Sequence, residues 1–493
     1  MDNKILINVT FNETRVAVIE RSSVAELYIE RKSTPRIVGN IYKGKIGKVV
    51  PGMQAAFVDI GLEKSGFISV EDVNEESLYD FDVDDDTSTN KKQKKALIQD
   101  ILREGQHVLV QVLKESVGGK GAKLSSYIGI PGKYVVLLGS ADIVGISRKI
   151  EDSEERTRLN EIITKMKPDD LGFIARTASI GISEEELRQD MNDLTRTWSR
   201  IKKKSDGMKK CGLLYEEPRL YIKAVRDFVS AEIKKVIVDS EPVYQEIKDY
   251  LKSNFPDSRM NIELYKDPDP LFTRFGVESE IRKIFNKKVW LKSGGHIIIE
   301  EAEGLTVVDV NTGRYQSGKT QEETIYNLNL EAATEIVRQI RLRNLVGIVV
   351  VDFIDIKNRQ LRDQIYDAFV EALKQDRARS AVLEMSPFGV IQMTRQRLRE
   401  SILTELAEPC PYCEGVGYLK SSDTITYEII REVKSRIVKP FVKRIEVQAS
   451  SRVIKTLKES EQENLKSLEK DHDVEITFKP VEGRIGKYDI IVD

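Results

Sequence analysis

Apolar residues alternate with polar ones, or cluster in short β-branched runs, over most of the first half of the chain. Ile5-Leu6-Ile7-Asn8-Val9 and Thr14-Arg15-Val16-Ala17-Val18 predict a hairpin turning at Asn12-Glu13. Ile41 to Val50, Ala55 to Ile60, Gly66-Phe67-Ile68 and Val108 to Leu113 are short strands punctuated by glycine, spaced like a small barrel of OB type. Residues 151 to 205 then take a helical period, interrupted by a strand at Gly172 to Thr177, and residues 219 to 285 mix both patterns. From Val289 to about Leu406 strand and helix alternate, with Gly304 to Val310 and Gly347 to Phe353 as strands and Glu322 to Arg343 and Asn358 to Gln375 as helices, the pattern of an α/β layer. A small α+β tail follows, with strands at Ile445 to Val447 and Asp489 to Val492.

The two apolar strands of the α/β layer each run into an aspartate, Asp309 and Asp352, at the carboxyl end, where open α/β sheets gather their ligands. With a period of two, Asp309 and Asn311 project to one side, and a helical crossover can bring Asp352 alongside. Two carboxylates meeting there suit a hard divalent cation such as Mg²⁺, which prefers oxygen ligands and shares its shell with water and phosphate. Taken singly, each aspartate reads as readily as a cap on the turn that follows.

A rival lies nearby. Gly313 to Thr320 fits the phosphate-loop pattern of a P-loop NTPase. Against it, Asp309-Val-Asn-Thr intervenes between strand and loop, bulky polar residues stand where small ones would help, and the stretch from Lys319 to Asp352 is short for that fold.

Composition adds limits. The 493 residues allow about three domains. With Lys+Arg 78 against Asp+Glu 80 the net charge is −2, so any basic surface is local. Glu71 to Asp86 is acidic and a Lys-rich block at 91 to 95 follows; adjacent opposite blocks cancel at a distance, and a solvated loop is the expectation for this insertion at 73–98. No apolar run reaches membrane-spanning length and the amino terminus lacks the order of a signal peptide, so a cytoplasmic protein with no membrane attachment is expected. Three cysteines exclude a disulfide framework, but Cys410-Pro-Tyr-Cys413-Glu-Gly-Val-Gly is a knuckle that can offer two thiolates to one ion. Structural zinc takes four ligands. Cys211 or a histidine could complete the shell, or a second chain could donate its own pair.

Several motifs carry a family resemblance: Gly304-Leu-Thr-Val-Val-Asp309-Val-Asn311, Asn329-Leu-Glu-Ala-Ala, Arg338-Gln-Ile-Arg-Leu-Arg343, Val351-Asp352-Phe-Ile-Asp355, Gln375-Asp-Arg-Ala-Arg379 and the cysteine knuckle, with Asn40 to Lys45, Ala55 to Gly61 and Arg176-Thr177 further upstream. Together they resemble the catalytic half of the ribonuclease E/G family over nearly the whole chain. The resemblance implies a multidomain α/β and α+β protein: a ribonuclease-H-like domain split over 1–38 and 219–285, an S1-type OB barrel over 39–127, a 5′-sensor region over 128–218, a DNase-I-like catalytic domain over 286–406, a zinc link over 407–420 and a small domain over 421–493.

The resemblance also implies site residues. Asp309 and Asp352 would bind catalytic Mg²⁺ and Asn311 would hydrogen-bond the scissile phosphate, with hydrolysis leaving a 5′-phosphate and a 3′-hydroxyl. Phe57 and Phe67, with Lys120 beside them, would contact RNA; independently, the pattern of Ala56, Val58 and Ile60 puts Phe57 on the face away from the core, where it could stack a base. Arg176 and Thr177 would grip the monophosphorylated 5′ end, Val136 would pack on the terminal base and Arg379 would reach in from the nuclease domain. Arginine suits this because its planar fork meets phosphate oxygens two at a time. Cys410 and Cys413 from two chains would share one Zn²⁺ in a homodimer, with further pairing into tetramers left open. Single-stranded RNA, AU-rich and drawn from rRNA precursors and mRNA, is the implied partner in rRNA processing and mRNA decay. A catalytically idle RNA-binding regulator is the other alternative, disfavoured because all three active-site residues are intact. The chain ends at Asp493, which points to the short, G-like form without the scaffold tail.

Overall fold

A computed structural model of the chain describes residues 3–33, 37–73, 97–114, 121–139, 141–148, 150–228, 233–255, 260–313, 320–397, 399–413, 415–438, 442–481 and 487–492. Lys120, most of the acidic insertion and Arg314 to Lys319 of the phosphate-loop pattern lie outside them. The chain divides into two compact units, Met1–Glu405 and Leu406–Asp493.

In the first unit, the amino-terminal hairpin is part of a five-stranded sheet. Its order is Asn261–Leu264, Ile233–Val238, Asn3–Val9, Glu13–Glu20 and Ser23–Arg31, so segments more than 200 residues apart share one ladder. Asn3–Val9 pairs in parallel with Ile233–Val238, which explains its uninterrupted apolar run: Ile5, Leu6 and Ile7 are all fully buried. The third strand, Ser23–Arg31, was not evident in the sequence, where charged residues break the pattern.

The glycine-punctuated strands close as expected. Ile41–Val50, Ala55–Asp59, Gly66–Ser69, Lys123–Ser125 and His107–Lys114 follow one another around a five-stranded barrel, and pairing of Ile41–Val50 with His107–Lys114 completes the ring. Gly212–Tyr215 adds to the outside of that ladder. A four-stranded sheet comes next, Val144–Ile146, Gly172–Ala175, Val135–Leu138 and Gly129–Pro131, packed under the helices Ser153–Met166 and Glu184–Gly207. The longer helix starts on a capping box, with Ser183 and Glu186 exchanging hydrogen bonds.

The layer that holds both aspartates is a six-stranded mixed sheet ordered Lys288–Trp290, His296–Glu301, Leu305–Asn311, Gly347–Asp352, Val390–Arg395 and Ser380–Val382. Only the central pair is parallel, joined by the Gln321–Arg343 helix, which Thr320 caps at its start and Asn344, at φ 50°, ends in the left-handed conformation. Leu328, Ala332, Ile336 and Ile340 of that helix pack on one face of the sheet with Val308, Val310, Val349 and Val351. Helix Arg359–Leu373 joins it in the same core through Ile365 and Phe369. The arginines of the Arg338 to Arg343 motif join this layer to the first sheet: Arg341 reaches Glu20 and Glu26 at 2.7 Å, Arg338 reaches the Val24 carbonyl, and Arg343 reaches the Ile284 and Asn286 carbonyls. Burial disfavours ionised Glu26, yet Arg341 and Arg377 hold its carboxyl below the usual range.

The second unit has its own core. Helix Ser422–Ile437 and two shorter helices, Ser451–Ser460 and Gln462–His472, cover a three-stranded sheet in which Arg444–Ala449 lies between Glu475–Pro480 and Asp489–Val492. Among the described residues, no helix is long and apolar enough to cross a membrane.

Candidate active site

The parallel register sets Asp309 directly beside Asp352 at the ends of their strands. Burial alternates along both: Thr306, Val308 and Val310 face the core, as do Val349 and Val351, so Asp309, Asn311 and Asp352 emerge on the open face. Asn311 Nδ2 donates to Asp309 Oδ2 at 2.6 Å, which orients the amide and leaves its oxygen free to turn outward. Partial desolvation raises the Asp352 pKa, and the Asp309 and Asp355 carboxylates raise it further. This concentration of negative charge on an open face is what a bound cation would relieve. Among the described residues, no group of three or more His, Cys, Asp or Glu converges as a complete metal shell. The two neighbouring carboxylates are a set that Mg²⁺ could use together with water and substrate phosphate.

Two features position this pair. Asn329, fully buried on the crossover helix, donates to the Ile354 carbonyl at 2.8 Å and accepts from the Ile354 N–H at 3.2 Å. It thereby fixes the chain as it leaves Asp352. Its sequence signals were its place at the head of the Asn329-Leu-Glu-Ala-Ala motif and an amide on the apolar stripe of a helix. Gly389, at φ 79°, accepts from the Phe353 N–H through its carbonyl; a Cβ there would come within 2.9 Å of the Phe353 oxygen. His296 is the register partner of Asn311 on the adjacent strand. Its burial and the nearby Lys288 lower its pKa, against an opposing pull from Asp309.

Phe57 lies where the strand pattern puts it: it is 44% exposed, between buried Ala56 and Val58. Phe67 is its cross-strand partner and half-buried, so the two rings form one patch on the barrel. Phe67 also lines a cavity of about 520 Å³ whose walls carry cations, Lys123, Arg377, Arg397 and Arg399 among them, and the carboxylates Glu26, Asp376 and Glu400.

At the end of the Gly172–Ala175 strand, Arg176 donates to the Gly132 carbonyl at 2.7 Å and to Asp227 Oδ1 at 2.8 Å. Thr177, exposed, begins the turn that follows. Val136 is half-buried against Ile174 and Tyr127 in the same sheet. Asp227 was missed in the sequence, where Arg-Asp inside a helical stretch gives no cue. Its burial opposes ionisation, but Arg226, Arg176 and Arg377 hold its carboxyl below the usual range. Arg377, just before the Ser380–Val382 strand, is seated against this group, over the Phe228 ring at 3.3 Å and donating to the Asp227 carbonyl; Arg379, two residues on, is exposed.

In the second unit Cys410 is exposed and Cys413 half-buried, neither in a disulfide. Backbone N–H groups of Gly417 and Gly415 donate to the Cys413 sulfur and pull its thiol below the usual range. Both glycines hold positive φ, 86° and 92°, which turns their N–H groups inward. A knuckle that stabilises thiolate in this way fits a zinc ligand and supplies two of the four a structural site needs. Cys211 belongs to the first unit.

Residues 129–398 match the model of the "Ribonuclease E/G family", and residues 409–490 match "RNase E/G, Thioredoxin-like domain", which takes in the cysteine pair as well as the small α+β domain. The chain is 40% identical to ribonuclease G of Haemophilus influenzae over 430 residues, 87% of each chain, and 39% identical to ribonuclease G of Escherichia coli over 472 residues, 95% of each. It is 36% identical to ribonuclease E of Haemophilus influenzae over 482 residues, which is 97% of this chain and 51% of that one. The family match spans both aspartates and the phosphate-loop pattern between them, and identity at this level extends over the barrel and the tail alike. The chain belongs to the ribonuclease E/G family.

Proposed function

We propose that this ribonuclease is a Mg²⁺-dependent endonuclease that cuts single-stranded, AU-rich RNA and leaves a 5′-phosphate and a 3′-hydroxyl, working in rRNA processing and mRNA decay. The observation that carries the reading is the register of Asp309 against Asp352, with Asn311 on the same open face. Bound there, Mg²⁺ would activate a water and offset charge on the phosphoryl oxygens. Asp309 and Asp352 hold it; Asn311 orients the scissile phosphate through the amide that Asp309 already fixes. Phe57 and Phe67 stack bases of the incoming strand, and Lys120 is assigned beside them on the resemblance alone.

The preference proposed for 5′-monophosphorylated RNA rests on Arg176, whose guanidinium is held by Asp227 and Gly132, and on exposed Thr177 next to it in the chain. Val136 and Arg379 complete that pocket in the family pattern, and the seating of Arg377 against Asp227 adds a second cation from the nuclease layer. Cys410 and Cys413 hold half a zinc site, which supports a homodimer built around one shared Zn²⁺.

The test is a short 5′-monophosphorylated AU-rich RNA incubated with Mg²⁺ or with EDTA, with its end groups analysed and ATP hydrolysis followed in the same tubes. Cleavage to 5′-phosphate products in Mg²⁺ alone, slower on the 5′-hydroxyl RNA and without ATP turnover, is expected. ATP hydrolysis without cleavage would favour the phosphate-loop reading, and RNA binding without cleavage an idle regulator.

A further inference from the structure

We infer that Trp290, with Lys288 set over its ring, is a stacking platform for a base of the RNA next to the scissile phosphate. This rests on the endonuclease reading and names a part of the substrate site on the edge of the nuclease sheet.

Register gives the position. Trp290 pairs with His296, which pairs with Asn311; one step back, Lys288 pairs with Ile298, which pairs with Asp309 and through it with Asp352. Cross-strand partners project from the same face, so Trp290 and Lys288 stand on the open face with the carboxylates. Burial agrees, since Ile297 and Ile299, the residues of opposite parity on the intervening strand, lie in the core. Two strand spacings of about 4.8 Å separate Trp290 from Asn311, roughly 10 Å, within reach of a neighbouring nucleotide.

Exposure and chemistry give the role. Trp290 is 64% exposed, whereas Trp198 is 3% exposed. An indole left this wet contributes little to the fold, and its ring is nonetheless held: it lies 5.3 Å from the His296 ring, and Lys288 Nζ lies 4.0 Å from its centroid. Among the described residues Lys288 has no carboxylate partner, which leaves its charge for a phosphate. An aromatic face beside an unpaired cation is the combination that binds single strands without demanding a sequence, because every base has a π-face. On the other side of the same open face stand Val390, Gln392, Thr394 and Ala381, with the exposed Phe388 in the turn that precedes Val390. The exposed apolar residues Leu305, Val307 and Ile348 lie toward the other end of the strands, away from the carboxylates.

The chain has two tryptophans, so the platform reports on itself. Titration of the protein in EDTA with a single-stranded RNA decamer should quench the intrinsic fluorescence to saturation. Trp290→Phe should abolish that signal and still bind the RNA by anisotropy. In Mg²⁺, Trp290→Ala should raise KM by about 5- to 100-fold with little change in kcat, at unchanged melting temperature and oligomeric state. A wild type that cleaves RNA in Mg²⁺ but shows no quenching, together with a wild-type KM in Trp290→Ala, would overturn the inference and leave the function intact. So would a change of oligomeric state at unchanged KM, which would make this face a contact between copies of the chain. Absence of cleavage by the wild type would count against the function itself.

Discussion

At the scale of single residues, exposure separates side chains that serve the fold from those available to RNA. Phe57 loses little to the barrel core, because Ala56 and Val58 fill it. Phe57→Ala should therefore weaken single-stranded RNA binding by about 1 to 3 kcal/mol, the range for one stacked base, with the melting temperature unchanged; a variant that melts early and binds normally per folded molecule would return Phe57 to the core. Arg176 differs in being already engaged, by Asp227 and Gly132. Removing it should narrow the rate advantage of 5′-monophosphate over 5′-hydroxyl RNA while slow internal cleavage persists, and an unchanged ratio in Arg176→Ala would refute the sensor assignment. Phe57 was legible from a strand pattern because its strand is short and its face is set by neighbours in sequence. The arginine's partner was not, since Asp227 is brought to it from another part of the chain.

At the scale of elements, the crossover from Leu305–Asn311 through the Gln321–Arg343 helix to Gly347–Asp352 was readable because period-two and helical patterns each run cleanly there. The flanking antiparallel strands were harder. Lys288–Trp290 and Ser380–Val382 have three residues each, too short for alternation to declare itself, so the sheet's edge and the exposed Trp290 had no sequence cue. Buried polar anchors stood in the sequence without their partners: the Gln375 to Arg379 motif contains Asp376 but says nothing of Arg395. Asp376, just beyond the Arg359–Leu373 helix, holds Arg395 through both carboxylate oxygens, at 2.6 and 3.0 Å, and Arg395 also donates to Asn344 and Leu345. Breaking this pair leaves a buried guanidinium uncompensated. Asp376→Ala should cost about 3 to 5 kcal/mol in chemical denaturation, and should loosen the turn that presents Arg377 and Arg379; a loss under about 1 kcal/mol would mean that water or another group replaces the carboxylate.

At the scale of the whole molecule, the account joins a barrel with exposed aromatics, a sheet ending in an arginine, a nuclease layer with paired carboxylates and a cysteine knuckle. The knuckle was visible in the sequence as half a metal site, and the proposal completes it with the same pair from a second chain. One Zn²⁺ per two chains is the expected stoichiometry, and Cys410→Ser should release the metal and yield monomers. Metal analysis that returns one zinc per chain would instead require a complete shell within each chain.

The central claim is that Asp309 and Asp352 together form the catalytic metal site, and its most direct test is the cleavage rate of Asp309→Asn, Asp352→Asn and the double variant on one 5′-monophosphorylated RNA. Each replacement keeps side-chain size and removes one of the two neighbouring charges, so metal affinity and water activation should fall together. Each single variant should lose cleavage almost as completely as the double, because groups acting as a unit are not additive, while RNA affinity measured in EDTA stays near wild type. Cleavage near the wild-type rate by either soluble, RNA-binding single variant would contradict the account and move the chemistry away from this pair.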